Sequence, residues 1–593
     1  MTPSPNLEAE VRAAFESGIA AHREGRGADA EAAFRRVLAL IPDHPDALHL
    51  LGIALHFQGR SMEGIALIRR AIERFPHNPA YHNNLGNALD ETGDRSGAAA
   101  AYRRATEVRP DYPIAWQALG TLAMAERRPR DALALFGNAL AADPGYAPAE
   151  NGIGNALLAL GEVDEAAAHY RAALRLDPAD PSAASNALMV MHYDPRVSAA
   201  EIDEAHRAWG RSAIAMVPRR TAPFLNTRDA DRRLRIGYIS ADFRRHSVAY
   251  FIEPVIAAHD RGAVEVTCYA DVRRPDAVTD RIRTTAHRWR NIHRVGDDVV
   301  ARMIEDDRID ILVDLSGHTS GNRLPVLART PAPIQVSWIG YPGITGLPTI
   351  DWRLTDAVAD PAGTEDRGPE ALFRLPEGFL CYRPPDDAPA ITTQPSAGPV
   401  TFASFNVLAK ISSDTIALWS RVLLTVPGSR LLLKAEALDD PAVRQRIANA
   451  FARHGVGADR LDLIGFVPDP ASHLATYGGV DIALDPFPYN GTTTTMEALW
   501  MGCPVVTLRG DRHSARVGAS LLARAGLGDL VAGTADEFVR IAERLAGDRA
   551  RLQELRGGMR ARLAATTLLD GARFTRGLEA AYREMWRRFL DAR

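Results

Sequence analysis

Prolines stand at 42, 76, 110, 144 and 178, and glycines at 18, 52, 86, 120 and 154, so two residue types keep one 34-residue period in fixed phase. Alanines at 32, 66, 100, 134 and 168 hold the same period, each followed by a large residue at Phe34, Ile68, Tyr102, Phe136 or Tyr170. A period locked at several positions confines this segment to stacked helix–turn–helix units, because one such unit buries its apolar face only against the next. The small residues are expected to let paired helices approach closely, with the large residue filling the gap and proline starting a new turn after each second helix. Five repeats are expected over roughly 11–180, within a solenoid domain spanning 11–184. Such a stack offers a concave surface to extended polypeptide and implies no chemistry of its own, so a non-catalytic scaffold accounts for this part of the chain.

The unit resembles the tetratricopeptide repeat, a 34-residue helical hairpin with this small/large alternation. The remaining 400 or so residues need a separate account, since 593 residues exceed what one core supports. A net charge of −4 gives no global argument for a nucleic-acid or anionic-membrane partner. Cys268, Cys381 and Cys503 are far apart, without metal-ligand spacing, which points to a reducing compartment. With no basic-then-apolar leader and no run of 18 apolar residues, the expected location is cytoplasmic.

The 34-residue phase is lost over 185–230, which reads as a helical linker. Short β-rich runs then alternate with helical ones: "LRIGYIS", "VEVTCYA", "IDILVDLSG" and "PIQVSWIG". After a Pro-rich gap at 383–399 the alternation resumes with "VTFASF", "SRLLLKA", "LDLIGF", "VDIALD" and "PVVTL". Parallel sheets with crossover helices follow from that order. Two Rossmann-like lobes are expected, at 231–390 and 399–593, the second closed by a C-terminal amphipathic helix, with a site between them at the carboxyl ends of the strands. Neither lobe opens on G-x-G-x-x-G and no G-x-x-x-x-G-K-[ST] occurs, which argues against a dinucleotide-dependent dehydrogenase and a P-loop enzyme.

The chemistry concentrates in "DPFPYNGTTTTMEALWMG", where Thr492 to Thr495 open a helix after a strand and loop. Free N–H groups and the positive end of the helix dipole gather at such an opening, and hydroxyls add donors, a combination suited to a phosphate or diphosphate. One threonine would serve as a cap, and four exceed that need because β-branched residues are mediocre inside helices. Glu497, in the first turn, is placed to accept from a ribose. Of 70 basic residues only Lys410 and Lys434 are lysine, and Lys410 follows a strand at the same sheet edge, where an ammonium would neutralise a leaving diphosphate. His246 follows the first strand of the first lobe and should face the cleft, although a lone histidine is more often structural. His318, in "SGHTSGN", is placed on a cleft loop against donor or acceptor, with a packed structural role as the alternative. Arg509, Arg512 and Arg516 follow the "PVVTL" strand, where one could reach a phosphate, and Cys503 reads as packed rather than reactive.

Together these stretches resemble the tetratricopeptide-containing O-GlcNAc transferase family, particularly its SPINDLY branch, over nearly the whole chain. The resemblance rests on "RIGYISADFRRHSVAYF", "IDILVDLSGHTSGNRL", "RTPAPIQVSWIGYPGITGLPTIDWRLTD", "FNVLAKI" and "DPFPYNGTTTTMEALWMG". It implies an α-solenoid followed by a GT-B glycosyltransferase of two Rossmann-like lobes. It further implies inverting, metal-independent transfer of a sugar to Ser/Thr of polypeptides held by the repeats, with no cofactor. By the same resemblance His246 is the active-site histidine and Lys410 the phosphate-binding lysine. Thr493 and Thr494 are the hydroxyls on the diphosphate, Glu497 the ribose ligand and His473 the residue that packs on the base. The "GYPG" turn, with Tyr341, Pro342 and Gly343, is a loop beside the sugar. The donor pocket departs from the animal members, which have cysteine, histidine and glutamine where this chain has Tyr489, Thr492 and Val407. That spelling is nearer the SPINDLY branch, whose plant members use GDP-fucose, whereas Arg516 is similar to the GlcNAc-transferring members. UDP-GlcNAc is the first expectation for the donor and GDP-fucose the second. Another GT-B transfer, to lipid, small molecule or asparagine, is a third reading, which the repeats disfavour.

Overall fold

The computed structural model describes residues 5–218, 220, 222–391 and 398–592. Part of the Pro-rich boundary, 392–397, and linker residues 219 and 221 lie outside the described residues. Two compact units emerge: one holds the repeats through Leu157 with Ala168–Asp180, the other Leu158–Ala167 with the chain from Pro181 onward. No helix among the described residues is long and apolar enough to cross a membrane.

In the first unit, helices pair as antiparallel hairpins from Pro5–Arg23 onward, two per period. Pro45, Pro79 and Pro113 occupy the first turn of successive helices, where a missing N–H costs nothing, and His44 and Asn78 cap the first two by side-chain acceptance. The glycine phase is a close-approach phase. A Cβ on Gly120 would lie 2.3 Å from the Phe136 ring, and one on Gly86 2.4 Å from the Tyr102 ring, so each aromatic sits on a bare backbone. The expected close approach thus falls to the glycines, and the periodic alanines do not share in it. Ala32, Ala66, Ala100 and Ala134 are exposed, and the buried small residues are Ala30, Gly64, Ala98 and Ala132, two positions earlier. Two residues are about 200° of helical rotation, so the periodic alanines face solvent and the close contacts belong to the opposite face.

The second unit begins with the linker helices Pro181–Met191 and Ala199–Ala215, the latter opened by a Ser198/Glu201 capping box. Its first sheet comprises β1 (Leu234–Ser240), β2 (Val264–Ala270), β3 (Arg288–Asn291), β4 (Ile311–Asp314), β5 (Ile334–Ser337), β6 (Trp352–Thr355) and β7 (Ala371–Arg374). The order is β3-β2-β1-β4-β5-β6-β7, parallel throughout. Central strands are apolar on both faces, as a sheet covered by helices on both sides requires. Ile236 and Tyr238 of β1 enter one core, and Ile239 enters the other.

The second sheet comprises β8 (Thr401–Ser404), β9 (Arg430–Lys434), β10 (Leu461–Ile464), β11 (Ile482–Leu484), β12 (Val505–Leu508) and β13 (Val531–Ala532), in parallel order β10-β9-β8-β11-β12-β13. Strand order reverses beside β8 and β11, which places a ligand crevice at their carboxyl ends. The C-terminal helix Gly571–Asp591, grouped with the second lobe from its place in the chain, packs instead into the core of the first through Phe574, Leu578, Tyr582 and Trp586. Its apolar stripe complements that sheet, and the chain crosses back to bury it.

Candidate active site

The loop after β11 is held from below by buried groups. Asp485 accepts from the Gly491 N–H at 2.7 Å and from the Thr507 hydroxyl at 2.7 Å, and the Ser412 and Thr415 hydroxyls both donate to the Phe487 carbonyl. Asn490 is fully buried and bridges the Pro486 carbonyl and the Gly518 N–H. These contacts fix where the helix Thr493–Trp500 begins. The four threonines then divide. Thr494 donates to Asn406 Oδ1 at 3.1 Å and Thr495 to the Gly491 carbonyl at 3.0 Å, whereas the Thr492 and Thr493 hydroxyls hold no hydrogen bond among the described residues. Half the run is structural, and half stands open beside the unpaired N–H groups of the first turn.

Lys410 closes the short turn Leu408–Lys410 after β8. Its ammonium donates to the Asn490 carbonyl at 2.9 Å and lies 3.9 Å over the centre of the Tyr489 ring. Burial pushes its pKa down to about 8, opposed by the charge on Asp485. Burial likewise raises Asp485 to about 6. A lysine so placed keeps a positive charge at neutral pH with little water around it, the condition for strong attraction to an anion. The Tyr489 ring stacks on Tyr193 with centroids 5.2 Å apart, so Lys410 rests on a braced surface.

Further along the edge, His473 Nε2 and Glu497 Oε2 are 3.1 Å apart, and the His473 ring packs 5.8 Å from Phe405. The structure thus joins two residues that are 24 positions apart in sequence, with Val407 more than half exposed on the nearby turn. Glu497 contributes to raising the pKa values of Tyr250 and Tyr382, which places it within electrostatic reach of the first lobe.

In that lobe, the loop after β1 carries His246, about a third exposed, with Nδ1 3.4 Å from Asp242 Oδ2 and 3.3 Å from the Val248 N. Burial lowers its pKa, and Asp242 opposes that shift. His318 takes the packed alternative: Ser185 Oγ and the Thr345 carbonyl occupy its two nitrogens, and Trp209 and Tyr341 enclose the ring. Tyr341 is buried with its hydroxyl 2.6 Å from His206 Nε2, Pro342 is buried beside it, and Gly343 alone of the three is partly exposed. Arg516 is engaged away from the threonines: it donates to the Val358 and Gly510 carbonyls and ties the lobes together. Asp360 joins the same interface, bound to Arg353 at 2.8 Å and His513 at 2.7 Å. Sequence reasoning missed Asp485, Asn490 and Asn406. The first two flank "PFPY" beside the threonines, and their burial was the absent signal.

An open helix start, a part-buried lysine and an acid–histidine pair lie along one sheet edge, faced by a second Rossmann-like lobe, which is the layout of a GT-B fold with room for an anionic ligand. Comparison places it more narrowly. The model of glycosyl transferase family 41 matches residues 187–383 and 392–578, and the tetratricopeptide repeat model matches 7–45, 49–116 and 118–181. The chain belongs to glycosyl transferase family 41. It is 44% identical over 416 residues to a rice (Oryza sativa subsp. japonica) protein described as a probable UDP-N-acetylglucosamine–peptide N-acetylglucosaminyltransferase SPINDLY, covering 69% of this chain and 45% of that one. A similarly described protein, SEC of Arabidopsis thaliana, is 32% identical over 60% of this chain and 37% of its own. The chain thus spans under half the length of these curated relatives. A solved structure of a lysine-to-methionine mutant of Thermobaculum terrenum O-GlcNAc transferase superposes with a TM-score of 0.82 at 37% identity, over 87% of this chain and 98% of that one.

Proposed function

We propose that this protein is an inverting, metal-independent O-glycosyltransferase that moves a sugar, GlcNAc from UDP-GlcNAc in the first instance, to Ser/Thr of polypeptides held by the repeats. The observation that carries the reading is the Lys410 ammonium, fixed on the Asn490 carbonyl at the foot of a helix whose Thr492 and Thr493 hydroxyls are open. The names of the rice and Thermobaculum relatives support the donor.

In the reaction the acceptor oxygen forms a bond to the anomeric carbon as the bond to the diphosphate oxygen breaks on the opposite face. The electron pair leaves with the nucleoside diphosphate, where Lys410 and the helix start stabilise it. The charge that a metal would supply elsewhere comes here from the protein. His246 orients the acceptor or takes its proton. As a base it needs the tautomer in which Nδ1–H donates to Asp242, which frees the Nε2 lone pair; the Val248 N–H favours the other tautomer, and substrate selects between them.

Transfer from GDP-fucose is the second reading, favoured by Tyr489 in the donor pocket, where a large ring takes up room. Metal-free calorimetry against UDP and GDP, with Lys410→Ala as control, tests both. Binding of one nucleotide, weakened by the substitution, is expected and names the donor class. Binding of neither would return the chain to the scaffold reading.

A further inference from the structure

The turn that ends the first linker helix carries a histidine whose polar atoms are unmatched. His192 is 2% exposed, and neither ring nitrogen has a hydrogen-bond partner among the described residues. Most buried histidines of this chain are matched, as His206 and His318 show on the same cluster. Leaving both nitrogens of a buried imidazole unmet is destabilising, and such groups in native proteins usually mark a ligand or a strained functional site.

Its surroundings say which. The ring meets Tyr341 edge-on at 5.4 Å and Tyr489 at 6.4 Å between centroids, and the Lys410 ammonium lies 3.9 Å over the centre of the same Tyr489 ring. A Cβ added to Gly343 would lie 3.0 Å from His192 Cε1 and 3.3 Å from Nε2, so the loop's backbone rests directly on this edge of the ring and a side chain there would crowd it. His192 therefore stands where the first lobe's Gly340–Gly343 turn meets the second lobe's Tyr489 loop, one ring away from the lysine. Burial pushes its pKa well below the ordinary histidine value, so the ring is neutral, with one N–H donor and one lone pair. A hydroxyl, which both donates and accepts, is its chemical complement.

We infer that His192 is a sugar-binding residue: with the diphosphate on Lys410, the adjoining pyranose lies beside Tyr489 and Gly343, and one of its hydroxyls hydrogen-bonds the His192 ring. The inference rests on the glycosyltransferase reading and deepens it by making the helical linker, outside both lobes, part of the donor site. The linker then selects the sugar and leaves the nucleotide to the second lobe.

Calorimetry of the full chain with a nucleoside diphosphate and with the matching nucleotide sugar separates the two. His192→Leu is expected to weaken the nucleotide sugar about tenfold, the worth of one good hydrogen bond, while nucleoside diphosphate affinity stays within twofold. In turnover the donor KM rises with kcat little changed, since the bond is present in ground and transition states alike. His192→Gln, which keeps a donor and an acceptor, should recover much of the loss and serves as the test if the leucine variant does not fold. The melting temperature of His192→Leu should hold or rise, because an unmatched polar ring is replaced by an apolar one. Equal weakening of both ligands, or of neither, would overturn the inference. If the unsubstituted protein binds neither UDP nor GDP, the glycosyltransferase reading itself falls, a result distinct from the first two.

Discussion

Raising the pH should switch off the donor site through Lys410, with a midpoint fixed by the lysine's surroundings. Its pKa of about 8 stands roughly 2.5 units below the ordinary value of 10.5, which corresponds to about 3 kcal/mol of bias against the charged form. In the free enzyme about nine-tenths of the ammonium is therefore lost by pH 9. The profile of kcat/KM should be level between about pH 7 and 7.5 and fall about tenfold per unit above pH 8. In kcat the fall should come later, because a bound diphosphate holds the proton on. Nucleoside diphosphate affinity measured by calorimetry should follow the kcat/KM profile. Lys410→Ala should cost at least 10²–10³-fold in kcat, the range for one charge-stabilising donor, and the residual binding should lose its alkaline limb. Stability supplies an independent sign. A lysine depressed in the folded state leaves the unfolded chain holding more protons between pH 8 and 10.5, so this group adds stability as pH rises through that window. Lys410→Ala should remove that rise. A flat kcat/KM from pH 7.5 to 10, or an alkaline limb that survives in Lys410→Ala, would refute the placement of the charge.

The threonines should separate by task. Thr493→Val should weaken nucleoside diphosphate binding by about 1.5–3 kcal/mol with the melting temperature unchanged, whereas Thr495→Val should leave binding intact and cost about 1 kcal/mol of stability in a denaturant titration. In the repeats, Ala132→Leu should destabilise by about 1–3 kcal/mol and Ala134→Leu by no more than about 0.5, since Ala132 is fully buried and Ala134 exposed. Asp360→Ala, which strands the buried Arg353, should cost about 3–5 kcal/mol in the second unit, read from its denaturant midpoint.

What was legible in the chain follows from how local each cause is. The repeats show because one constraint, a glycine beneath an aromatic, recurs at a fixed interval; which alanines pack does not, because periodicity marks every face of a repeated helix equally. The central strands are apolar on both faces and stand out. The edge strands do not: β3 reads "RWRN" and is mostly exposed, so no apolar run announces it. In the site, Lys410 and the threonines are readable because a scarce lysine and an over-long hydroxyl run break local habits. The division of the threonines depends on Asn406, 88 positions away from Thr494, and no local rule reaches that far. The histidines make the sharpest case. His318 sits in a conspicuous motif and has both nitrogens bonded within the fold, whereas His192 sits in an unremarked helix end with both nitrogens unmatched. Motif spelling reports where a residue stands in the chain, and only hydrogen-bond matching separates a histidine that completes the protein from one that awaits a ligand.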